Sequence, residues 1–283
     1  MVLNRLIEER VFKFLMQIST LLVVGGLLSI VAVVFVKGAP SLTLQILTQT
    51  SSGGYYLGKP GGILNAIVGS LDLAGGATVI AVAVSVPTAI YLNECASRSR
   101  FAVVVRNSLD LLWSVPSIIY GVFAFILMVY VGLGTSLLGG IVALTMLELP
   151  IMIRAMDEVL RTVPRTLKEA SYALGATKLE TAFRTVIRQA LPGLVTAVLL
   201  ALGRAMGDAA SVLFTAGYTD NLPNSLFQPV ASLPLAVFFQ LQTPFPVVQQ
   251  RAYASGFILL VLILSLSLGS RLVSKRFGRY TIK

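Results

Sequence analysis

Apolar residues gather in six long runs, at residues 14–36, 63–92, 110–131, 136–153, 193–216 and 254–273, each at least 18 residues long. A hydrocarbon core about 30 Å thick is crossed by about 20 apolar helical residues rising 1.5 Å each. The pattern therefore predicts an all-α integral membrane protein with six transmembrane helices. The first run follows Arg5, Arg10 and Lys13 in the manner of a secretory signal. Its 23 residues exceed the usual signal core of about 7–15, so it is expected to stay as an anchor. The shorter apolar patch 233–241 behind Pro234 cannot span and is expected to lie along the membrane surface or dip into it.

Between the fourth and fifth runs, residues 154–191 are polar but patterned for helix. Pro164 suits the start of a helix. Leu167, Ala170 and Leu174 follow at spacings of three and four and stop at Gly175, a residue suited to a left-handed helix end. Thr177 and Glu180 then have the spacing of a capping box. Behind them Leu179, Ala182, Phe183, Val186, Ile187 and Ala190 form a second stripe, expected to end at Pro192. From the residues alone this fits a basic amphipathic hairpin resting on lipid headgroups as well as one made for a partner protein.

Composition supports a lipid environment, since 56% of residues are hydrophobic and only 12% are charged, against about 25% charged in soluble proteins. The net charge of +10 follows topology. Eighteen Lys and Arg fall on the side of the two termini and three on the other, which places both termini in the cytoplasm. No surface stripe for nucleic acid is formed. With no histidine and the single Cys95, a disulfide, a cysteine-built metal site and most acid–base catalysis are disfavoured. No catalytic residue, metal ligand or cofactor is expected in this chain. The Gly53–Lys59 segment imitates a phosphate-binding loop, but Pro60 stands where the magnesium-binding hydroxyl belongs.

Charge inside a span costs about 2.5–3.5 kcal/mol on insertion scales, so the run Gly203-Arg204-Ala205-Met206-Gly207-Asp208 stands out. Arg204 and Asp208 are four apart and share a face if the helix continues. Either they neutralise one another, or Arg204 offers its fork to an oxyanion while Asp208 orients it. Gly203 and Gly207 would permit close helix packing. Asp72 is expected at the wet end of its span, and Glu148 is expected to snorkel toward headgroups or Arg154.

Particular residues carry a family resemblance. Glu169-Ala170-Ser171, Gly175 and Leu191-Pro192-Gly193, with Ala173-Leu-Gly-Ala-Thr177 between them, resemble the EAA loop of ABC-importer permeases. Residues 203–217 and the stretch from Gly61 to Ser70 are similar to phosphate-transport permeases of the PstA type, with Asp208 and Ala209 where that family has glutamate and threonine. The resemblance implies that Glu169, Ala170 and Gly175 dock on a cytoplasmic ATPase dimer, which alone would bind ATP and magnesium. It also implies a second homologous permease subunit, an extracytoplasmic phosphate-binding protein, and a bacterial or archaeal cytoplasmic (inner) membrane. Domains are expected at 1–62, anchor helix and outer loop, and 63–275, the permease domain. The function implied is ATP-driven phosphate import. Permeases for sulfate, molybdate or tungstate, and an ion-coupled carrier, are the alternatives.

Overall fold

The computed structural model describes residues 2–51, 54, 58–59, 61–97 and 99–277, with side chains from residue 8 to residue 276. Most of the phosphate-loop mimic lies outside them. The described residues form helices α1 (Val2–Gly38), α2 (Leu44–Thr48), α3 (Leu64–Ile90), α4 (Arg100–Trp113), α5 (Ser117–Tyr130), α6 (Leu137–Arg161), α7 (Arg165–Ala173), α8 (Lys178–Glu180), α9 (Ile187–Gly207), α10 (Leu233–Leu241) and α11 (Pro246–Phe277). Five helical stretches are long and apolar enough to span, and a bent pair makes a sixth if it counts as one span.

At the centre α3 packs along α6. Small residues Ala74, Gly76, Ala77 and Ala81 of α3 lie against α6 and let the two helices approach closely, while Ala66 and Gly69 receive the segment around Val230 and Ala231. Of the most apolar stretch of α6, 67% is buried within the protein, against 0% for that of α1. Thus α6 is the core helix and α1 a peripheral one, held to α11 by Phe35 on Phe257 and by Lys37 beside Tyr253. Its Val31 and Val34 are half-buried beside α10 and α11, and most of its other described apolar side chains face outward, as lipid permits.

Two spans differ from the sequence pattern. The third run is broken: α4 and α5 meet at 99° across Ser114–Pro116. Pro116 disfavours helix at Val115, and the Tyr120 hydroxyl donates to the Leu112 carbonyl at 2.8 Å, holding the corner. The 14 residues of α5 reach only about 21 Å. The fifth run also ends early. The chain leaves the helix at Asp208 (φ −82°, ψ 122°), and residues 208–232 pack as irregular backbone against the bundle. Irregular backbone survives at membrane depth only where its polar groups are bonded. Here Ser136 donates to the Thr215 carbonyl, Val230 to Ala216 and the Asn65 amide to Thr219. In the opposite direction, helix continues through Pro192, so that α8, a π-helical turn at Thr181–Val186 and α9 run on without a break. One proline removes a single backbone donor, which does not separate hairpin from span.

The patch at 233–241 is α10, tucked into the bundle with Leu233, Leu235 and Ala236 at 0% exposure. Arg251, buried at the start of α11, ties down the loop before α3 by donating to the Ser51 hydroxyl and the Lys59 carbonyl.

Close approach to the irregular segment depends on glycine. A Cβ on Gly121 of α5 would lie 2.6 Å from the Ser211 carbonyl oxygen and 3.0 Å from that of Ala210. The Gly121→Ala substitution is therefore expected to lower stability by about 1–3 kcal/mol through overpacking, despite alanine's better helix propensity. A fall in the melting temperature of the purified protein in detergent checks this.

Candidate functional site

The polar hairpin is built by local capping. Helix α7 follows Pro164 and ends in a Schellman arrangement: the Gly175 N–H donates to the Tyr172 carbonyl and that of Ala176 to Ser171. Gly175 sits at φ +83°, where a Cβ is disfavoured. Thr177 and Glu180 form the capping box, each side chain bonding the other's backbone N–H. Glu169, Ala170 and Gly175 are all exposed on this hairpin, and at its tip Leu174 is 89% exposed. An apolar side chain so placed on a rigid turn offers a contact to another surface.

Behind the hairpin lies a charged knot centred on Asp157, 0% exposed on α6. Arg106 of α4 grips its carboxylate with a fork, Nε to Oδ2 at 2.9 Å and Nη2 to Oδ1 at 3.0 Å, and Nη2 also donates to the Leu92 carbonyl. Arg161 and Arg154 approach Oδ2 at 3.2 and 3.4 Å. The Asn93 amide donates to Asp157, and Arg154 reaches on to Asp110 at 2.7 Å. A buried carboxylate is tolerated only with such partners, and here they draw α3, α4 and α6 together. In front of the knot opens a polar cavity of about 710 Å³, with Glu94, Arg106, Arg161, Arg165 and Lys168 in its wall.

Arg204 and Asp208 do not form a pair. Arg204 occupies the last turn of α9, where a cation complements the helix dipole, and is exposed. It has no ion-pair partner among the described residues. Asp208 lies beyond the helix end, and its carboxylate accepts from the Ser211 backbone N–H at 2.8 Å and from the Ser211 hydroxyl. Capping the new turn, and not orienting Arg204, is what Asp208 does within this chain. Nor do Gly203 and Gly207 make a close helix contact: a Cβ on Gly203 would meet nothing within 4 Å, and one on Gly207 only the end of Ile263. Arg204 thus stands on an open face of α9. Asp72 is exposed on α3 and forms no ion pair among the described residues. Glu148 does not snorkel; it is 1% exposed and accepts from the Thr78 hydroxyl at 3.2 Å.

Sequence reasoning missed Asp157, Arg106, Asn93 and Glu94. A signal for the first was present. Met152, Met156 and Leu160 continue the buried face of α6 past Arg154, and Asp157 falls on that face. Its principal partner lies 51 residues away, beyond any local pattern. Among the described residues no group of His, Cys, Asp and Glu converges as metal ligands.

An all-α bundle of membrane-spanning helices, carrying a capped polar hairpin over a buried charge knot, defines the membrane subunit of a transporter. The chain belongs to the binding-protein-dependent transport system inner membrane component family, whose model matches residues 85–279. It is 34% identical over 263 residues to the phosphate transport system permease protein PstA of Haemophilus influenzae, covering 92% of each chain. To PstA 1 of Mycobacterium tuberculosis it is 36% identical over 215 residues, 75% of this chain and 70% of that one. To a probable ABC transporter permease protein, YqgI of Bacillus subtilis, it is 28% identical over 284 residues, 95% and 96%. Its fold is that of a chain in an inward-facing structure of the MetNI methionine ABC transporter, with a TM-score of 0.62 over 76% of this chain and 95% of that one, at 19% identity.

Proposed function

We propose that this chain is a translocation subunit of an ATP-driven importer of inorganic phosphate. The observation that carries the reading is the likeness to a phosphate permease over 92% of both chains. In this reading α7 and the turn at Gly175 dock on a cytoplasmic ATPase dimer through Glu169, Ala170 and Gly175. A homologous permease subunit packs against the open face of α9, so that Arg204 borders the path between the two, and a phosphate-binding protein delivers from outside. The bent pair α4–α5 counts as one span, which leaves both termini and the hairpin in the cytoplasm, in keeping with the eighteen basic residues assigned there. ATP and magnesium belong to the ATPase, and this chain moves the anion without chemistry of its own. Domain closure in the ATPase would shift the hairpin and rock the spans.

The test is uptake of radiolabelled phosphate by proteoliposomes holding this chain with its partner permease, ATPase and binding protein. Uptake should require ATP and persist in excess sulfate and molybdate. The Gly175→Asp substitution, which sets a carboxylate on the exposed turn, should release the ATPase and abolish uptake. Uptake without ATP, untouched by Gly175→Asp, would overturn the reading in favour of a carrier, and full competition by sulfate would overturn the substrate.

A further inference from the structure

Helix α7 has no buried residue, so it is not fixed to the bundle by a core of its own. Apart from Leu167, which packs at the edge of an apolar cluster drawn from α3, α6, the turn Thr181–Val186 and α9, two polar attachments hold it. On one side the Lys168 ammonium meets Glu94 Oε1 and approaches Asn93 Oδ1 at 3.5 Å. On the other the Ser171 hydroxyl bonds that of Thr181 at 2.9 Å and accepts from Thr185 at 3.5 Å. Lys168–Glu94 is the one ion pair that joins α7 to the spanning helices among the described residues. It lies along the polar cavity that otherwise separates α7 from the ends of α3 and α4.

Both attachments land on π-helical turns. Asn93 and Glu94 belong to the turn Tyr91–Cys95 that ends α3, and Thr181 and Thr185 to the turn Thr181–Val186 that leads into α9. A π turn carries an extra residue in a widened helix and recurs at functional sites. The Glu94 side chain is 4% exposed and that of Lys168 17%, so the pair is shielded from water and salt more than a surface pair is. Glu94 shares the cavity wall with Arg161 and Arg165, but Arg161 already reaches Asp157 and Glu158, Arg106 is committed to Asp157 and Leu92, and Lys168 is the one cation in ion-pair contact with Glu94 among the described residues. A displacement of α7 therefore either carries Glu94 along or breaks this ion pair.

We propose that Lys168 and Glu94 form a strut through which movement of α7 is transmitted to the end of α3, and through α3 to the core helix α6, so that Lys168 is a positioning residue for coupling and not part of the surface that binds the ATPase. This rests on the reading of α7 as the ATPase-coupled helix. The strut differs from the exposed docking residues Ala170 and Gly175 in facing inward, and from Glu169, which also borders the cavity, in its ion pair to the turn that ends α3, and a charge reversal should separate the two roles.

The experiment compares Lys168→Glu, Glu94→Lys, the double reversal, Lys168→Met and Lys168→Arg in the full complex in proteoliposomes. It measures ATP hydrolysed per phosphate imported, together with retention of the ATPase through detergent purification. Each single reversal, and Lys168→Met, should raise the ratio at least about fivefold, the lower end of ordinary coupling between sites, with the ATPase retained. The double reversal should bring the ratio back to within about twofold of the wild type, and Lys168→Arg should keep it. Lys168→Met adds no second carboxylate, so a misassembled Lys168→Glu does not decide the matter. Unchanged ratios in the single variants, a double variant no better than the singles, or loss of the ATPase from Lys168→Met would each overturn the strut. Failure of the wild-type complex to import phosphate with ATP would instead remove the functional reading beneath it.

Discussion

The Asp157→Ala substitution is expected to destabilise the protein by about 3–5 kcal/mol, the range for breaking a buried ion pair from one side. Arg106 makes both of its carboxylate contacts to Asp157 and keeps a side-chain exposure of only 13%, so its charge would be left in a site with one remaining carbonyl partner. Arg154 and Arg161 suffer less, because each also reaches Glu158 and lies nearer water. The cost should therefore fall mainly on the α4–α6 contact, and the Arg106→Leu, Asp157→Leu pair should be milder than either single change, since two apolar groups leave no stranded charge. Melting of the purified variants in detergent, followed by tryptophan fluorescence of Trp113 at the end of α4, reads both. Singles and double that melt alike, near the wild type, would show that the knot contributes nothing to holding α4.

How far such features were legible in the sequence depends on the distance over which each is determined. The hairpin is a local object. The stop at Gly175, the Thr177–Glu180 box and the helix start behind Pro164 are each specified within a few residues, and the folded chain has all three. The all-α membrane class and the permease family were likewise written in long apolar runs and in short motifs. Hydropathy, however, records how apolar a stretch is and not whether it is straight. Residues 110–131 pass as one span although Ser114–Pro116 turns the chain by 99°, and Val115-Pro116 was the available sign. Residues 208–216 are apolar enough to extend α9, yet Asp208 is followed three residues later by Ser211, a pair able to bond in a turn and end the helix. The i, i+4 argument for Arg204 and Asp208 failed with the helix it assumed. Asp157 was hidden for the opposite reason: a charged residue after an apolar run reads as an exit from the membrane, and although Arg154 and Arg161 stand within four residues of it, only the fold supplies Arg106 and the burial.

The Arg204→Ala substitution is expected to cut phosphate uptake by about ten- to a hundredfold, the loss that corresponds to one charge-assisted hydrogen-bonding group, while leaving the stability of this chain nearly unchanged. The second half of that expectation is set by geometry. Arg204 is exposed at the C-terminal turn of α9 and its side chain pairs with no described residue, so its removal creates no cavity and strands no partner, and surface changes of that kind usually stay within about 0.5 kcal/mol. On an open helical face, flanked by Gly203 with empty space beside it, the charge gains within the protomer only the helix-dipole complement, about 0.3–1 kcal/mol, which is less than its cost of about 2.5–3.5 kcal/mol in a membrane. A residue kept for anion contact and one kept for packing thus predict opposite pairs of results. Arg204→Lys sharpens the distinction, because it preserves the charge but not the planar fork, and should fall between the wild type and Arg204→Ala in uptake. Uptake unchanged in Arg204→Ala would remove Arg204 from the path. A melting temperature that falls together with uptake would make it a contact within the bundle or with the neighbouring permease, leaving the anion to be recognised elsewhere.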